Sequence, residues 1–425
     1  MKIEILNAHI CDPLNAIDRV DAIYLADTKI LSIGEPPSGW QAEQSIDASG
    51  LYCIPGLVDI AARLGNSGQT QQKSISSETH AAVSAGITSL VCMPDSKPVI
   101  DSAAQLEYVQ QHCHSSSHCH VYVIAALTTG LKGDMLSEMA ALKQAGCVGV
   151  SNVMHPLANN LVLRRAMEYA SGQGLTLHYQ AMDSALQANG CINEGLAATR
   201  MGLIGIPNAA ETAAVGVCLA LIEHTGARVH FARLSTQRAV HILELAHSEG
   251  LNVSADVAAH QLFLCDDDIP AFDPNFHLLP PLRSADDLAG LRQAINNPIF
   301  SAICSDHQPH CADAKLAPFA STQIGASALE TLLPLTLRLV EQGLLNLQQA
   351  IALVTYKPAQ ILNIDAGSLT AGSSADLCLF DPKQEWTLQA NTMRSRGKHS
   401  PFLGQRFKGK VKHTFVSGKL VYSES

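Results

Sequence analysis

Between residues 50 and 366 the chain repeats one pattern: a short apolar run rich in β-formers, then a longer stretch whose apolar residues return at helical spacing. The apolar runs are 51–60, 88–93, 120–127, 148–153, 175–179, 228–232, 251–257 and 300–304. Several are continuously hydrophobic rather than alternating, as strands covered on both faces should be. The stretches between them, such as 78–85, 136–144 and 237–248, carry a helical stripe. Eight such units predict a (β/α)8 TIM barrel over 52–366. The ends differ. Residues 1–51 hold short strand-like pieces, and from Gly367 the tail returns to them with ADLCLFDP and KVKHTFVSGKLVYS. Neither end can bury a core alone, so 1–51 and 367–425 are expected to pair in one composite β-sandwich beside the barrel.

Composition sharpens this picture in three ways. With 47% hydrophobic and 16% charged residues among 425, the chain can bury an extensive core and is too poor in charge to be disordered. The net charge of −10 leaves no broad basic surface, which argues against nucleic acid; only Lys408, Lys410 and Lys412 are locally basic. No stretch reaches the roughly eighteen apolar residues of a membrane span, so a cytoplasmic location is expected. Twelve cysteines without a C-x-x-C pair read as reduced, buried thiols. Cys113, His114, His118, Cys119 and His120 form a local cluster that could hold a soft metal if the chain folded back. Its spacing matches no zinc motif, and the simpler reading is a helix end leading into a strand.

A barrel of this kind carries its chemistry at the C-terminal strand ends. The strings found there and beyond are PGLVDI at 55–60, VCMPDSKPVID at 91–101, INEG at 192–195, PPLR at 280–283, SDHQPH at 305–310, ALETLLPL at 328–335, KPAQILNI at 357–364 and SPFLGQRFKGKV at 400–411. In this order, across nearly the whole chain, they resemble the motifs of the dihydroorotase family of the amidohydrolase superfamily. The resemblance implies zinc-dependent opening of a cyclic amide, with the metal acidifying a water and an aspartate moving the proton.

The ligand set that the resemblance implies is largely missing. Where the family has D-x-H-x-H-x-R after the first barrel strand, this chain has Ala61 and Arg63 at the histidines and Gly65 at the substrate-clamping arginine. After the fourth strand the S-D-D-G carboxylates are replaced by Asn152 and Val153, and after the sixth the ligand histidine is Arg233. His178 survives from the fifth strand. Asp306, matching the catalytic aspartate and a metal contact, and His310, matching a substrate contact, survive after the eighth. The substrate side is altered too: Asp95 stands in the P-N-T motif, where it would repel an anion, and Leu279 replaces the asparagine before PPLR. His230, His260 and His307 read as satisfied polar groups rather than ligands.

Three functional readings follow. The first is a noncatalytic dihydroorotase-like protein; the resemblance then implies a structural subunit associated with aspartate carbamoyltransferase in pyrimidine biosynthesis, in a homo- or hetero-oligomer, with no cofactor. The second is an active cyclic-amide hydrolase with an unusual site on His178, Asp306 and His310, and zinc enters only here. The third is a pocket that binds a regulatory anion through Arg63 and Arg233. In the first, an aspartate built to face a cation must find another, so Asp306 is expected to pair with Arg233, Arg63 or both.

Overall fold

The computed structural model describes residues 1–65 and 69–424. Five strands come first: β1 (Lys2–Asp12), β2 (Ile17–Ala26), β3 (Lys29–Ile33), β4 (Gln44–Asp47) and β5 (Tyr52–Pro55). The barrel strands follow as β6 (Leu57–Ala62), β7 (Ile87–Cys92), β8 (His120–Ala126), β9 (Gly149–Ser151) and β10 (Leu177–Tyr179). After an inserted two-stranded ribbon, β11 (Ile192–Asn193) with β12 (Gly205–Ile206), come β13 (Val229–Phe231), β14 (Val253–Ala258) and β15 (Phe300–Cys304). The tail adds β16 (Leu377–Thr387), β17 (Arg406–Val416) and β18 (Lys419–Ser423).

The eight parallel strands neighbour one another in the order β6, β7, β8, β9, β10, β13, β14, β15. The ring closes just past β15, where His307 N donates to Ala61 O at 3.2 Å and Arg63 N donates to His307 O at 2.9 Å. Asp59 reinforces this seam by accepting from the Ser305 amide at 3.0 Å and from the Ser305 hydroxyl. Inside the ring an apolar cluster contains Val58, Ile60, Val91, Ile124, Ala302 and Cys304. Side chains alternate along each strand, so the opposite faces pack against the surrounding helices.

Both chain ends contribute to one second sheet, ordered β18, β17, β16, β5, β1, β2, β3, with β4 on β1. The sheet curls until β3 meets the chain before β16: Ile30 N donates to Ser373 O at 3.1 Å and Ala375 N to Thr28 O at 2.8 Å. This curling encloses a separate core that includes Ile3, Ile5, Ile23, Leu25, Leu377 and Phe415. The sequence run 51–60 is therefore two strands, one in each sheet, divided at Gly56. A side chain at Gly56 would put a Cβ 2.1 Å from Thr88 Oγ1, so only glycine lets the two layers approach here.

The cysteine-histidine cluster does not converge. Cys113 and Cys119 are buried, while His120 Nε2 sits 3.1 Å from Asp376 at the seam with the second sheet. Of the twelve cysteines only Cys311 is exposed. Native protein should therefore take up one equivalent of a maleimide rapidly, and Cys311→Ser should take up none until denatured; rapid labelling of several thiols, counted by mass spectrometry, would contradict this burial pattern. Among the described residues no helix is long and apolar enough to cross a membrane.

Candidate functional site at the barrel mouth

Three strands end in the same way. Two residues beyond β9, β13 and β15 stand Val153, Arg233 and Asp306, with φ of 51°, 56° and 49°. The left-handed conformation suits an aspartate but costs a β-branched side chain. Val153 accepts that strain, its amide held by Ser151 Oγ at 2.9 Å and its side chain packed in the barrel cluster with Ala61.

The charges at the mouth form a chain of alternating sign. Asp95 accepts from Arg63 Nε at 2.8 Å, and Arg63 Nη1 lies 3.8 Å from Asp306 Oδ1. Arg233 Nε approaches the same oxygen at 3.5 Å, and its Nη2 donates to Gln180 Oε1 at 2.5 Å. Arg233 and Asp306 are both buried, at 2% and 4% exposure. Burial pushes the Asp306 carboxyl up from its usual range, against the pull of Arg233 and Arg63, because neither guanidinium comes closer to Oδ1 than 3.5 Å. Asp95, read from sequence as a repellent for anions, is instead matched by Arg63.

His178 and His230 meet edge to face with ring centres 5.2 Å apart. Burial and the nearby His230 hold His178 well below the usual imidazole range, and its Nε2 has no hydrogen-bond partner among the described residues. His230 lies between Ser254 Oγ and Asp256 Oδ2, each at 2.9 Å. Asp256 also accepts from the Arg233 amide at 2.8 Å and the Cys304 thiol at 3.2 Å. Burial opposes its ionisation, but the His230 bond and the Arg233 charge outweigh it and keep the carboxyl below the usual range.

The remaining sequence candidates are held elsewhere. His310 Nε2 donates to Ile324 O at 2.8 Å, and Leu279 packs with Ile206 and Ala210. Asn152 accepts from Thr128 and donates to His155 O. Gly65, at φ 86°, lies where a Cβ would strike the Ser74 hydroxyl. His260 is buried with its pKa pushed down to about 4 by desolvation. His307 is paired with the buried Glu78 at 3.0 Å, and Glu78 also accepts from Ser395 and the Arg396 amide, tying the 395–397 segment to the seam.

Space and chemistry are separated here. A cavity of about 120 Å³ touches His178, Gln180, Val153 and Asn152, well under the roughly 300–1,000 Å³ of small-molecule sites. A cleft of about 610 Å³ lies along Gly65, Lys97, His310, Cys311 and Arg396, and Asp306 is not on its wall. Sequence reasoning missed Gln180, Asp256 and Glu78. Asp256 carried a signal, since an acid inside the apolar run 251–257 demands a buried partner.

Asp59 supplies a pH signature of the seam. Burial raises its carboxyl to about 6 despite the bonds from Ser305 and Ala61. The folded value lies above the unfolded one, so this group's contribution is full at acid pH, below about 4, and is lost as pH rises through 6. Asp59→Asn is expected to remove from the stability profile a decline of about 3 kcal/mol between pH 4 and 7. Urea unfolding across that range checks it, and an unchanged slope in the variant would rule it out.

A closed parallel barrel with its polar residues gathered past the strand ends, beside a sheet built from both termini, defines an amidohydrolase type of fold. Residues 52–421 match the Amidohydrolase family. Over 422 residues, 99% of its length, the chain is 42% identical to the whole of a dihydroorotase-like protein of Pseudomonas aeruginosa. It is 39% identical, over 99% of its length and all of the relative, to a dihydroorotase of Geobacter metallireducens. The L-hydantoinase (dihydropyrimidinase) of Arthrobacter aurescens shares the fold with a TM-score of 0.87 at 24% identity, covering 99% of this chain and 96% of that one. The chain belongs to the amidohydrolase family, within its dihydroorotase group.

Proposed function

We propose that this chain is a noncatalytic dihydroorotase-like protein that acts in the cytoplasm as a structural subunit of aspartate carbamoyltransferase in pyrimidine biosynthesis. One observation carries the noncatalytic part: the Arg233 guanidinium is buried in the barrel mouth, 3.5 Å from Asp306. The donor set does not fit a divalent cation. Ala61 and Val153 belong to an apolar cluster, His178 and Asp306 are the donors left, and two permanent cations stand beside Asp306. An arginine next to the carboxylate supplies the positive charge that a metal would. No reaction step is assigned to the mouth on this reading.

Two of the relatives, in Pseudomonas aeruginosa and Pseudomonas putida, are named dihydroorotase-like proteins. The partner rests on the family resemblance. The reading as an anion-binding pocket at Arg63 and Arg233 loses support because Asp95 and Asp306 already face those arginines. The reading as an active hydrolase draws on relatives named dihydroorotase at 39% identity.

The test has two arms. Dihydroorotase turnover should stay at background with and without added zinc, and the chain should copurify with the aspartate carbamoyltransferase of the same cell and support its activity. Turnover that depends on His178 or Asp306 would establish the hydrolase reading instead, and failure to associate would remove the partner.

A further inference from the structure

Two histidines from different segments meet at the end of the barrel opposite the mouth. His80 lies near the end of the helix Gln69–Ser84, which leads into β7; His118 follows the helix Ala103–Ser116 and precedes β8. Both therefore stand at N-terminal strand ends, whereas Asp306 and Arg233 stand past the C-terminal ones. The two rings have centres 5.4 Å apart and planes inclined at 64°. His118 Nε2 is 3.3 Å from Ser76 Oγ, and Ser76 is one helical turn before His80, so this nitrogen is directed at the helix face that carries His80. Around them opens a hollow of about 790 Å³ whose rim includes Ser77, Ser115 and Ser116.

We propose that His80 and His118 form a two-histidine site for a late first-row divalent cation, with zinc as its type ligand. The spacing, close to that of the edge-to-face pair His178 and His230, also admits a shared ion. With Zn–N near 2.1 Å and a ring centre about 1.2 Å behind its nitrogen, two imidazoles on one tetrahedral ion have centres about 5.3 Å apart. Burial, His118 and then Arg394 push the His80 pKa down, which keeps the ring neutral and its lone pair available near pH 7. Arg394 also opposes a dication, so the site is a modest one, its remaining positions open to water. Of the five residues in the cysteine-histidine cluster of the sequence, only His118 takes part. The site lies beyond the function proposed above and holds whether or not the mouth is catalytic.

Zinc chloride titrated into the full-length protein by calorimetry tests it. Two ligands of a four-ligand site give a dissociation constant on the order of tens of micromolar. His80→Ala and His118→Ala should each weaken binding at least about tenfold with unchanged circular dichroism, since each removes one of two nitrogen ligands. Bound Cu²⁺ should show two imidazole nitrogens by electron paramagnetic resonance. The site is overturned if zinc fails to bind, if both variants bind as the parent does, or if copper reports a single nitrogen. Binding lost in His178→Ala but kept in His80→Ala also overturns it, and places the ion at the mouth, against the noncatalytic reading.

Discussion

Arg283→Met is expected to destabilise the protein by about 3–5 kcal/mol, the range for breaking a buried charged network by removing one member. Arg283 is 1% exposed and is among the largest fully buried side chains. Its Nη1 donates to Asn193 Oδ1 at 3.0 Å and to Ile206 O at 2.7 Å, and its Nε to Ser235 Oγ at 3.0 Å. One side chain thus ties the ribbon β11 and β12 to the segment after β13. Ser235 passes the connection on, because its hydroxyl and amide both donate to the buried Glu211, which also accepts from Thr236. Burial lowers the Arg283 pKa, and Glu211, Asp287 and Asp266 counter it. Methionine of similar length would fill the space but leave Asn193 Oδ1 and Ser235 Oγ without a donor, each costing about 1–3 kcal/mol, and Glu211 without its nearby cation; Ile206 O keeps the Glu194 amide at 3.2 Å. Urea unfolding at constant m measures the loss, and amide exchange should show 192–206 opening first. A loss under about 1 kcal/mol would mean that water replaces the guanidinium, and the lock would be no lock.

Much of the barrel was legible because its strands are continuously apolar and its helices are striped. All eight runs overlap a barrel strand, five of them containing it whole, and the tail does return to the N-terminal strands. The division at Gly56 was hidden: 51–60 is apolar throughout, and nothing local says that one glycine parts two sheets. Site residues were legible where a substitution changed the chemistry, as at Arg233, whose approach to Asp306 follows from an orphaned carboxylate needing a cation. Arg63 was half legible. Its tie to Asp95 spans 32 residues of sequence, and either residue alone suggested a different effect, one attracting anions and the other repelling them. Gln180 gave no signal, since an amide at a strand end is ordinary; its use as an acceptor appears only once Arg233 is in place.

The mouth itself yields the second large effect. Arg233→Met is expected to cost about 3–5 kcal/mol at pH 7, since it strands Asp306 in a buried site. Arg63 at 3.8 Å compensates in part, and it is the more exposed of the two arginines, so water screens it. The sign of the pH dependence distinguishes this from simple loss of packing. Asp306 is already raised by burial, and removing its nearer cation raises it further. With the variant's folded value raised above the parent's, its native state binds the proton more readily, so its deficit against the parent is largest above the variant's folded value and shrinks as pH falls toward the parent's own raised value. A packing defect would be equal at pH 5 and pH 7. Asp306→Asn in the Arg233→Met background should then recover most of the loss at pH 7, because a neutral amide needs no counter-charge. The double-mutant cycle should give a coupling of about 2 kcal/mol or more. A coupling below about 0.5 kcal/mol, or a deficit independent of pH, would show that Arg233 fills space at the barrel mouth without neutralising Asp306.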